Sequence, residues 1–444
     1  MSHLQLITSR SNAGSERQNL FSAQRSRFEE GNPLRIPQRR LLQLFLQLSL
    51  ATLGLTFQLE AMAQSVGGSA QVGASGTSAD ATGNSSTESL SVSETRAVRE
   101  KPEVSMAMKM EGRSYASSLA DRKDGSDVKM LFGLHYQLST MTEIVANPYA
   151  RFNSGFVQSA TATNGREATF GLEEGDLRFS DQNYFKVAAG VLRMAEYHSP
   201  LLVHTPLSGL LLSASSGERQ DLAVSLFGYG GIPGSANSTS AGDNNNKTPS
   251  YLSAGVRVRG QISSLKGYAQ AARFQYQNLP RTVASDSTTL GNTGYNTQSG
   301  FSSVDFLFGY QGLELTAGLD WQAMTSLRYG LRLASLSNGL APSGYNRGYS
   351  IENNLAWQMN GQWEFLPNLT YFFIEPDATV ANFNHEDFGT ARVGYNLKLN
   401  FKYKNLLTFG GTLGERRAIY ENDVGRLGND KYVGVVLETL SAVF

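Results

Sequence analysis

Apolar and polar residues alternate along most of the chain from Val104 onwards, with a period of two. Because successive side chains of a β-strand point to opposite faces, this period predicts strands with one apolar and one polar face. The run at 390–403 shows it most clearly, with an apolar set opposite a charged or polar one: Ala391, Val393, Tyr395, Leu397, Leu399, Phe401 and Tyr403 against Arg392, Gly394, Asn396, Lys398, Asn400 and Lys402. Charged residues and glycines recur on the polar side of strand after strand. That favours a water-filled interior over the solvated face of a soluble sheet.

The stretch 301–335 lies at the centre of this pattern and affects how the strands are counted. Alternating runs at 304–310 and from 313 onwards are separated only by Gln311 and Gly312. Two residues between alternating runs are typical of a tight hairpin connection. We therefore expect one strand to end, and the next to begin, at this dipeptide.

The segment 313–335 keeps apolar residues at its odd positions apart from a lapse at 323–325. We interpret it as a single strand of about 23 residues, whereas roughly 9 to 11 suffice to span a bilayer. This interpretation places Arg328 and Arg332 beyond the lipid, near the external mouth. The alternative is a turn at 324–326, which divides the segment into two strands.

The connections between the alternating runs are short and long in turn. The short ones fall at 181–182, 216–217, 263–264, 311–312, 367–368 and 404–405, and the long ones at 196–206, 230–249, 278–300, 336–348, 377–389 and 415–430. Tight turns on one side and long loops on the other are typical of outer-membrane barrels. The sequence therefore predicts an all-β, transmembrane, antiparallel up-and-down β-barrel of about 16 strands, with a range of about 14 to 18, whose two ends are periplasmic.

The N-terminal part has the features of an export signal. Basic residues at 35–40 precede an apolar run at 41–57, and Ala61, Met62 and Ala63 form a small-residue cleavage site. This arrangement predicts a secretory signal peptide over 1–63 with an unusually long basic region, the alternative being a membrane anchor. Residues 64–103 are rich in Ser, Thr and Gly and predict a disordered lead, and 104–444 forms the barrel.

Composition narrows the choice of function. The 444 residues include no cysteine, which excludes disulfides and thiolate metal sites. The 38 acidic and 38 basic residues balance, which gives no reason to propose nucleic acid as a partner. The chain is rich in tyrosine and phenylalanine. We expect aromatic girdles at the strand ends from seven tyrosines: Tyr251, Tyr295, Tyr310, Tyr345, Tyr349, Tyr371 and Tyr403.

Three sequence elements resemble known outer-membrane proteins. The chain closes on VGVVLETLSAVF with Phe444 last, and barrels of the Gram-negative porin class end similarly on an aromatic residue. The element VAAGVLRMAEYHSP at 187–200 resembles one of the phosphate-selective porins, and FLPNLT at 365–370 resembles their periplasmic turns. The resemblance covers 104–444. It implies passive diffusion of small hydrophilic solutes through a monomeric or homotrimeric pore, with outer-membrane lipid and the barrel-assembly machinery as partners.

A barrel of this size leaves an interior too wide for side chains to fill, so we expect an aqueous channel. The candidate pore-lining residues are the charges on the polar faces: Lys109, Arg113, Arg257, Arg259, Glu314, Asp320, Arg328, Arg332, Arg392 and Lys398. Basic residues outnumber acidic ones among the inward charges, which predicts a weak preference for anions. The alternative is that these are ordinary wall charges held in cross-strand pairs.

Other functions are less consistent with the sequence. We expect no enzyme activity, because no serine in an activating context accompanies a lumen histidine such as His135, and we expect no cofactor and no metal. The alternative to the last point is a divalent-cation site at a loop cluster, either 384–387 or Asp243 with its run of asparagines, although lone clusters of this kind are usually only solvated. A transporter of hydrophobic compounds needs an apolar lumen. The main alternative is a non-conducting surface barrel, an adhesin or structural protein, that acts through the loops at 230–249 and 278–300.

Overall fold

The computed structural model describes residues 102–117, 123–154, 166–181, 184–217, 222–233, 248–296, 304–385, 387–404, 406–420, 427–439 and 442–443. The predicted signal peptide, nearly all of the predicted lead and Phe444 lie outside these residues.

Sixteen antiparallel strands close into one barrel. In chain order they are β1 (Glu103–Ser117), β2 (Lys123–Gln137), β3 (Thr142–Ser154), β4 (Arg166–Asp181), β5 (Phe185–Leu192), β6 (Leu207–Ser215), β7 (Leu222–Pro233), β8 (Ser250–Ile262), β9 (Leu265–Gln277), β12 (Tyr310–Met324), β13 (Leu327–Asn338), β14 (Arg347–Gln358), β15 (Trp363–Ile374), β16 (Arg392–Tyr403), β17 (Leu407–Ala418) and β18 (Asp430–Thr439), which β19 (Ala442–Val443) continues. The link between β9 and β12 carries helix α1 (Arg281–Thr289) and a small hairpin of β10 (Gly294–Asn296) and β11 (Val304–Phe306). Closure comes from β1, which pairs with both β2 and β18.

The two faces of each strand differ as the alternation predicts. On β18, Val433 and Val435 are 55 % and 65 % exposed on the outside, whereas Asp430 and Tyr432 are buried on the inside. An exposed apolar exterior around a closed barrel fits a lipid environment, because every backbone group pairs within the sheet. The predicted fold, an all-β transmembrane up-and-down barrel of about 16 strands, is confirmed.

Within the described residues, no helix has the length and apolar character needed to cross a membrane.

Short and long connections lie on opposite rims of the barrel. The short-turn rim carries 138–141, 263–264, 325–326 and 359–362, and the long-loop rim carries 193–206 and 339–346 together with the described parts of 278–309 and 375–391. The other connections include residues outside the described ranges. The first strand starts, and the last strand ends, at the short-turn rim. The alternation of connection lengths is therefore as predicted, although two of the predicted turns are wrong.

The single strand predicted over 313–335 is wrong, and the alternative is right. The chain turns at Thr325 and Ser326 between β12 and β13. A bulge lies at Ala323, where the pairing between the strands shifts by one residue. A two-residue turn alone would exchange odd and even faces, but the bulge shifts them back. Apolar odd positions therefore continue through the turn.

The predicted hairpin at Gln311 and Gly312 is wrong as well, because both residues lie inside β12 and pair with β9. The alternating run before them contributes β11, which belongs to the loop hairpin and not to the barrel wall. One strand fewer here and one strand more at 325–326 leave the predicted number unchanged. Arg328 consequently lies at the start of β13, next to the short-turn rim, and Arg332 lies near the middle of that strand. Neither lies at the long-loop rim, where the prediction put the external mouth.

The turn predicted at 367–368 is the third correction. Pro367 and Asn368 lie inside β15, and the turn falls at 359–362. Pairing with β16 continues through Pro367, whereas pairing with β14 is interrupted at Leu366 and Pro367. Proline has no N–H to donate, so it leaves a gap in one ladder while the strand itself runs on.

Glycines on the inner face lie directly across from aromatic residues. The paired residues on neighbouring strands are Tyr149 and Gly171, Phe227 and Gly255, Tyr268 and Gly318, Phe372 and Gly394, and Tyr432 and Gly414. In each pair a Cβ added to the glycine would collide with the aromatic ring. The rings therefore cover the glycines and lie along the wall, which keeps the lumen open.

The predicted tyrosine girdles are only partly consistent with the structure. Tyr251 and Tyr310 are buried inside the barrel, at 0 % and 2 % exposure, so that interpretation is wrong for them. Tyr349 contacts Phe373 on the outer face at a ring distance of 5.2 Å, near the long-loop rim. Tyr403 contacts Trp363 similarly at the short-turn rim.

Candidate solute pathway

The loop at 193–206, between β5 and β6, folds into the barrel. We call it the first inward loop. Its residues Leu201, Leu202 and Val203 are fully buried, although they follow one another in a long connection. They belong to a core that includes inward-facing residues of the wall: Leu207, Leu211, Phe227, Tyr251, Phe274 and Tyr276. One side of the lumen is thus filled with apolar side chains.

Glu314 on β12 anchors the first inward loop. Its carboxylate accepts hydrogen bonds from the backbone N–H of Ser199 at 2.8 Å and from the Ser199 hydroxyl at 2.6 Å. His198 Nδ1 lies 2.5 Å from the other oxygen, and its Nε2 lies 2.9 Å from Ser253 Oγ. Both the His198 and Glu314 side chains are 0 % exposed. Because a buried carboxylate needs hydrogen-bond partners, this network fixes the loop to the wall.

Wall residues also bind the backbone carbonyls of the first inward loop. Arg257 donates to the carbonyl of Glu196 at 2.6 Å, and Tyr276 donates to that of Leu202 at 3.2 Å. Gln270 donates to the carbonyl of Tyr197. These contacts satisfy loop carbonyls that water would otherwise solvate, so the loop is part of the channel wall.

The loop at 375–391, between β15 and β16, also turns inwards, and we call it the second inward loop. Phe383 is buried and stacks on Tyr276 with ring centroids 5.4 Å apart. The two inward loops share backbone hydrogen bonds, from His204 N–H to the Phe383 carbonyl at 2.8 Å and from His385 N–H to the Pro200 carbonyl at 2.9 Å. Together they form one partition across the lumen.

A buried network of hydrogen-bonded polar residues, which we call the polar knot, holds the second inward loop at the long-loop rim. Asp377 accepts from Thr293 N–H at 3.1 Å and from Tyr310 OH at 3.0 Å. Asn292 donates to the carbonyls of Pro376 and Thr379 at 2.6 and 2.7 Å. Burial raises the pKa of Asp377 to about 6, although these hydrogen bonds oppose the shift.

Asp387 connects the second inward loop to the barrel wall. Its carboxylate pairs with Arg113 at 2.7 Å and accepts from Asn396 at 2.8 Å, with Lys398 Nζ at 3.9 Å. Burial acts to raise the pKa of Asp387, but the protonated form of His385 and the positive charges of Arg113 and Lys398 outweigh it and hold that pKa well below its usual range.

Three contiguous cavities surround the inward loops. The first, of 700 Å³, lies along β1–β4 and reaches the long loops at Leu290. The second, of 380 Å³, lies under the first inward loop, and the third, of 670 Å³, reaches the short turn at Ser264. The first and second share the lining residues His204 and His385; the second and third share Arg332, Asn368 and Lys398. The cavities thus extend in series from the loops to the short-turn rim.

All ten candidate pore-lining residues lie on inward faces, but they do different things. Asp320, Arg328, Arg332 and Lys398 line the third cavity. Arg332 pairs with Asp320 at 2.7 Å and lies 5.8 Å from the centre of the Tyr268 ring, which also faces Arg257 at 4.1 Å. Cationic groups are therefore concentrated where the third cavity adjoins the second.

The other candidates are partly or wholly occupied by protein contacts. Lys109 pairs with Glu111 at 3.1 Å in the first cavity, and Arg259 donates to Ser225 at 3.4 Å. Arg392 is buried against Asp430 at 3.0 Å. Arg113, Arg257 and Glu314 hold the inward loops, as described above. The structure therefore brings only part of the predicted set to open lumen.

Sequence reasoning missed the inward loops and the residues they bring in. These are His198, Ser199 and His204, with Lys266 on the wall. His385 and Asp387 were predicted only as part of a loop cluster at 384–387, not as residues inside the barrel. One signal was available: Leu201, Leu202 and Val203 form an apolar run inside a long connection, where solvent exposure would be unfavourable. Among the described residues, no three His, Asp or Glu side chains are grouped as a metal site.

Comparisons with known proteins found similar folds among solved structures. The chain matches no protein-family model, and no curated protein is significantly similar to it. Solved structures with a similar fold include OprB of Pseudomonas putida, with 11 % identity, a TM-score of 0.49, and coverage of 77 % of this chain and 94 % of that chain. OmpF of Salmonella typhi in complex with daunomycin is 10 % identical with a TM-score of 0.44, over 76 % and 97 % of the two chains. OccAB1 of Acinetobacter baumannii is 10 % identical with a TM-score of 0.44, over 79 % and 100 %. The fold itself rests on this chain's own strand pairing, which closes a 16-strand barrel as the resemblance implied.

Proposed function

We propose that this protein is an outer-membrane channel through which small hydrophilic solutes diffuse passively. The observation that carries the proposal is the series of adjoining cavities, each lined by several charged side chains, from the long loops to the short-turn rim. The apolar exterior supports a lipid environment. The proposal includes export by the signal peptide at 1–63 and the placement of the short-turn rim in the periplasm.

The third cavity supports a preference for anions. Lys266, Arg328, Arg332 and Lys398 line it, and Asp320 is the carboxylate among its lining residues. That carboxylate is already paired with Arg332. Among the described residues, Arg328 and Lys266 form no salt bridge, so their charges face the cavity. Uncompensated positive charge in a confined aqueous space concentrates anions.

Planar-bilayer recording tests the channel and its selectivity together. We expect step conductance, and a reversal potential in a KCl gradient that favours chloride. Replacing both free cations, Lys266→Gln with Arg328→Gln, should shift that potential towards potassium, because the third cavity then loses two positive charges. Lys431→Gln is the matched control, since this residue lies on the outward face of β18.

Two outcomes contradict parts of the proposal. Absence of conductance by correctly folded protein would favour the adhesin or structural alternative. A conducting channel whose potential does not respond to the double substitution would overturn the role of the third cavity. The resemblance to porins implies a monomer or a homotrimer, and analytical ultracentrifugation in detergent distinguishes these two assemblies.

A further inference from the structure

Two histidines meet where the inward loops meet. His204 is on the first inward loop and His385 is on the second, and their ring centroids are 4.4 Å apart at an interplanar angle of 55°. Each flanks a backbone hydrogen bond that joins the loops. The ring pair is therefore held in place from both sides, at the centre of the partition.

The histidine pair is accessible to solutes on both sides. Both rings line the first cavity and the second cavity, so they stand at the junction of the two. His204 is exposed, and the side chain of His385 is 20 % exposed. Protons and ions in the lumen can reach both rings. Any charge on them acts on both cavities, because a charge is felt over about 10 Å at moderate salt.

One of the rings is shown in its neutral form by its hydrogen bonding. His385 Nδ1 accepts a hydrogen bond from the backbone N–H of Asp387 at 3.0 Å, which a protonated Nδ1 cannot do. Asp387 Oδ2 lies 3.7 Å from the same nitrogen. A protonated ring can therefore exchange the backbone donor for the carboxylate of the same residue.

Charged groups of both signs surround the pair. From the second inward loop it meets Asp387, which is also shared by Arg113 on β1 and Lys398 on β16. The first inward loop contributes Glu196 and the buried His198, and Arg416 on β17 adds a further cation. The other charged residues that line the two cavities are Lys109, Glu111, Asp127, Lys129, Arg151, Glu173, Arg193, Arg332, Glu352, Arg392 and Glu438. Glu386, next to His385 in sequence, lies outside the described residues.

Histidine is the one side chain whose ordinary titration changes its charge between pH 8 and pH 5. We propose that His204 and His385 make the ion selectivity of this channel depend on pH: neutral rings leave the junction uncharged, and protonated rings add positive charge there and favour anions. The inference rests on the proposed channel function. Because two rings so close together disfavour double protonation, the change should extend over a broad pH range.

Reversal potentials at pH 7.5 and pH 5.5, in the same KCl gradient, test this. For the wild-type channel we expect the anion-over-cation permeability ratio to rise by about twofold or more on acidification. His204→Gln combined with His385→Gln should remove most of that rise. His204→Lys should show the raised ratio already at pH 7.5, since it places a permanent charge at the junction.

Two controls separate the pair from other groups that titrate in the same range. His135→Gln removes a histidine that pairs with Glu143 at 2.8 Å on β2 and β3, and it should keep the rise. Asp377 stays in every variant, so a rise that it caused would persist in the double variant. Folding of each variant is checked by heat-modifiable migration on a gel.

The outcomes are distinct. A wild-type ratio that is equal at both pH values, or a rise that persists in the double variant, overturns the role of the histidine pair while leaving the channel intact. Absence of conductance at either pH overturns the channel function and this inference with it. A rise that is lost in the double variant and mimicked by His204→Lys supports the inference.

Discussion

At the scale of single residues, glycine and aromatic side chains on neighbouring strands set the free width of the lumen. Tyr268 lies over Gly318, and its ring lines the second cavity between Arg257 and Arg332. A side chain at position 318 would force the ring away from the wall. The positions of Arg257 and Arg332 and the cross-section of the second cavity thus depend on the absence of a side chain at Gly318.

We therefore expect Gly318→Ala to lower single-channel conductance, because the displaced Tyr268 ring occupies part of the second cavity. The cost in stability should be modest, about 1–3 kcal/mol, as for other overpacked sites. Gly361→Ala is the control, since an added Cβ there meets nothing within 4 Å. Conductance in Gly318→Ala equal to that of the control would show that Tyr268 does not limit the pathway.

At the scale of elements, buried polar residues tie the long loops together in addition to the apolar packing of the core. Asn338 at the end of β13 donates to the carbonyls of Gly309 and Asp377, at 2.9 and 2.8 Å. Hydrogen bonds of Asn292 and Asp377 join the second inward loop to the connection between β9 and β12. Asp377 has no cationic partner in this knot, so its ionisation is resisted by burial.

The raised pKa of Asp377 makes the stability of this knot depend on pH. In the folded state the pKa is about 6, above the ordinary value of 3.8. The folded state thus binds the proton more tightly, so the stabilisation is complete below about pH 4 and is lost as the pH rises through about 6. When the pH rises from 4 to 7.5, the free energy of unfolding of wild type should fall relative to that of Asp377→Asn by on the order of 2 kcal/mol.

Urea denaturation in detergent at the two pH values measures that difference. Asn keeps an oxygen for Thr293 N–H and Tyr310 OH, so the knot should remain formed. Asp305→Asn, a partly exposed acid in the same β9–β12 link, is the control for loss of a carboxylate. If wild type and Asp377→Asn change in parallel with pH, ionisation of Asp377 does not contribute to loop stability.

The barrel could be predicted from the sequence because its pattern is local, whereas the partition could not. The alternation of odd and even positions along each strand identified the inward-facing residues, including Arg328 and Lys398. The alternation did not reveal the turn at Thr325, because the bulge at Ala323 keeps apolar residues at odd positions on both sides of that turn. The inward loops depend on contacts far apart in sequence, such as His198 with Glu314, 116 residues away, and no local period encodes such a pair.

At the scale of the whole molecule, the lumen is asymmetric. Apolar residues of β6–β9 bind the first inward loop and fill one side, as the core formed by Leu211, Phe227 and Tyr251 shows. Charged residues of β1–β4 and β12–β16 line the side that stays open. A barrel of sixteen strands encloses far more space than the three cavities. In the proposed channel, the inward loops and not the barrel diameter therefore limit which solutes pass.

The direction of the whole barrel in the membrane follows from the proposed export. The first strand starts and the last strand ends at the short-turn rim, since the number of strands is even. Export and assembly from the periplasm, as proposed, would leave this rim on the periplasmic side. Because the chain has no cysteine, single substitutions report on the side without interference. Ser343→Cys, in the exposed 339–346 link, should react with a maleimide coupled to polyethylene glycol on intact cells. Thr325→Cys, in the opposite short turn, should react only after the outer membrane is permeabilised. Reaction of Thr325→Cys alone on intact cells would reverse the orientation and place the cationic third cavity at the cell surface, where anions would meet it before the histidine pair.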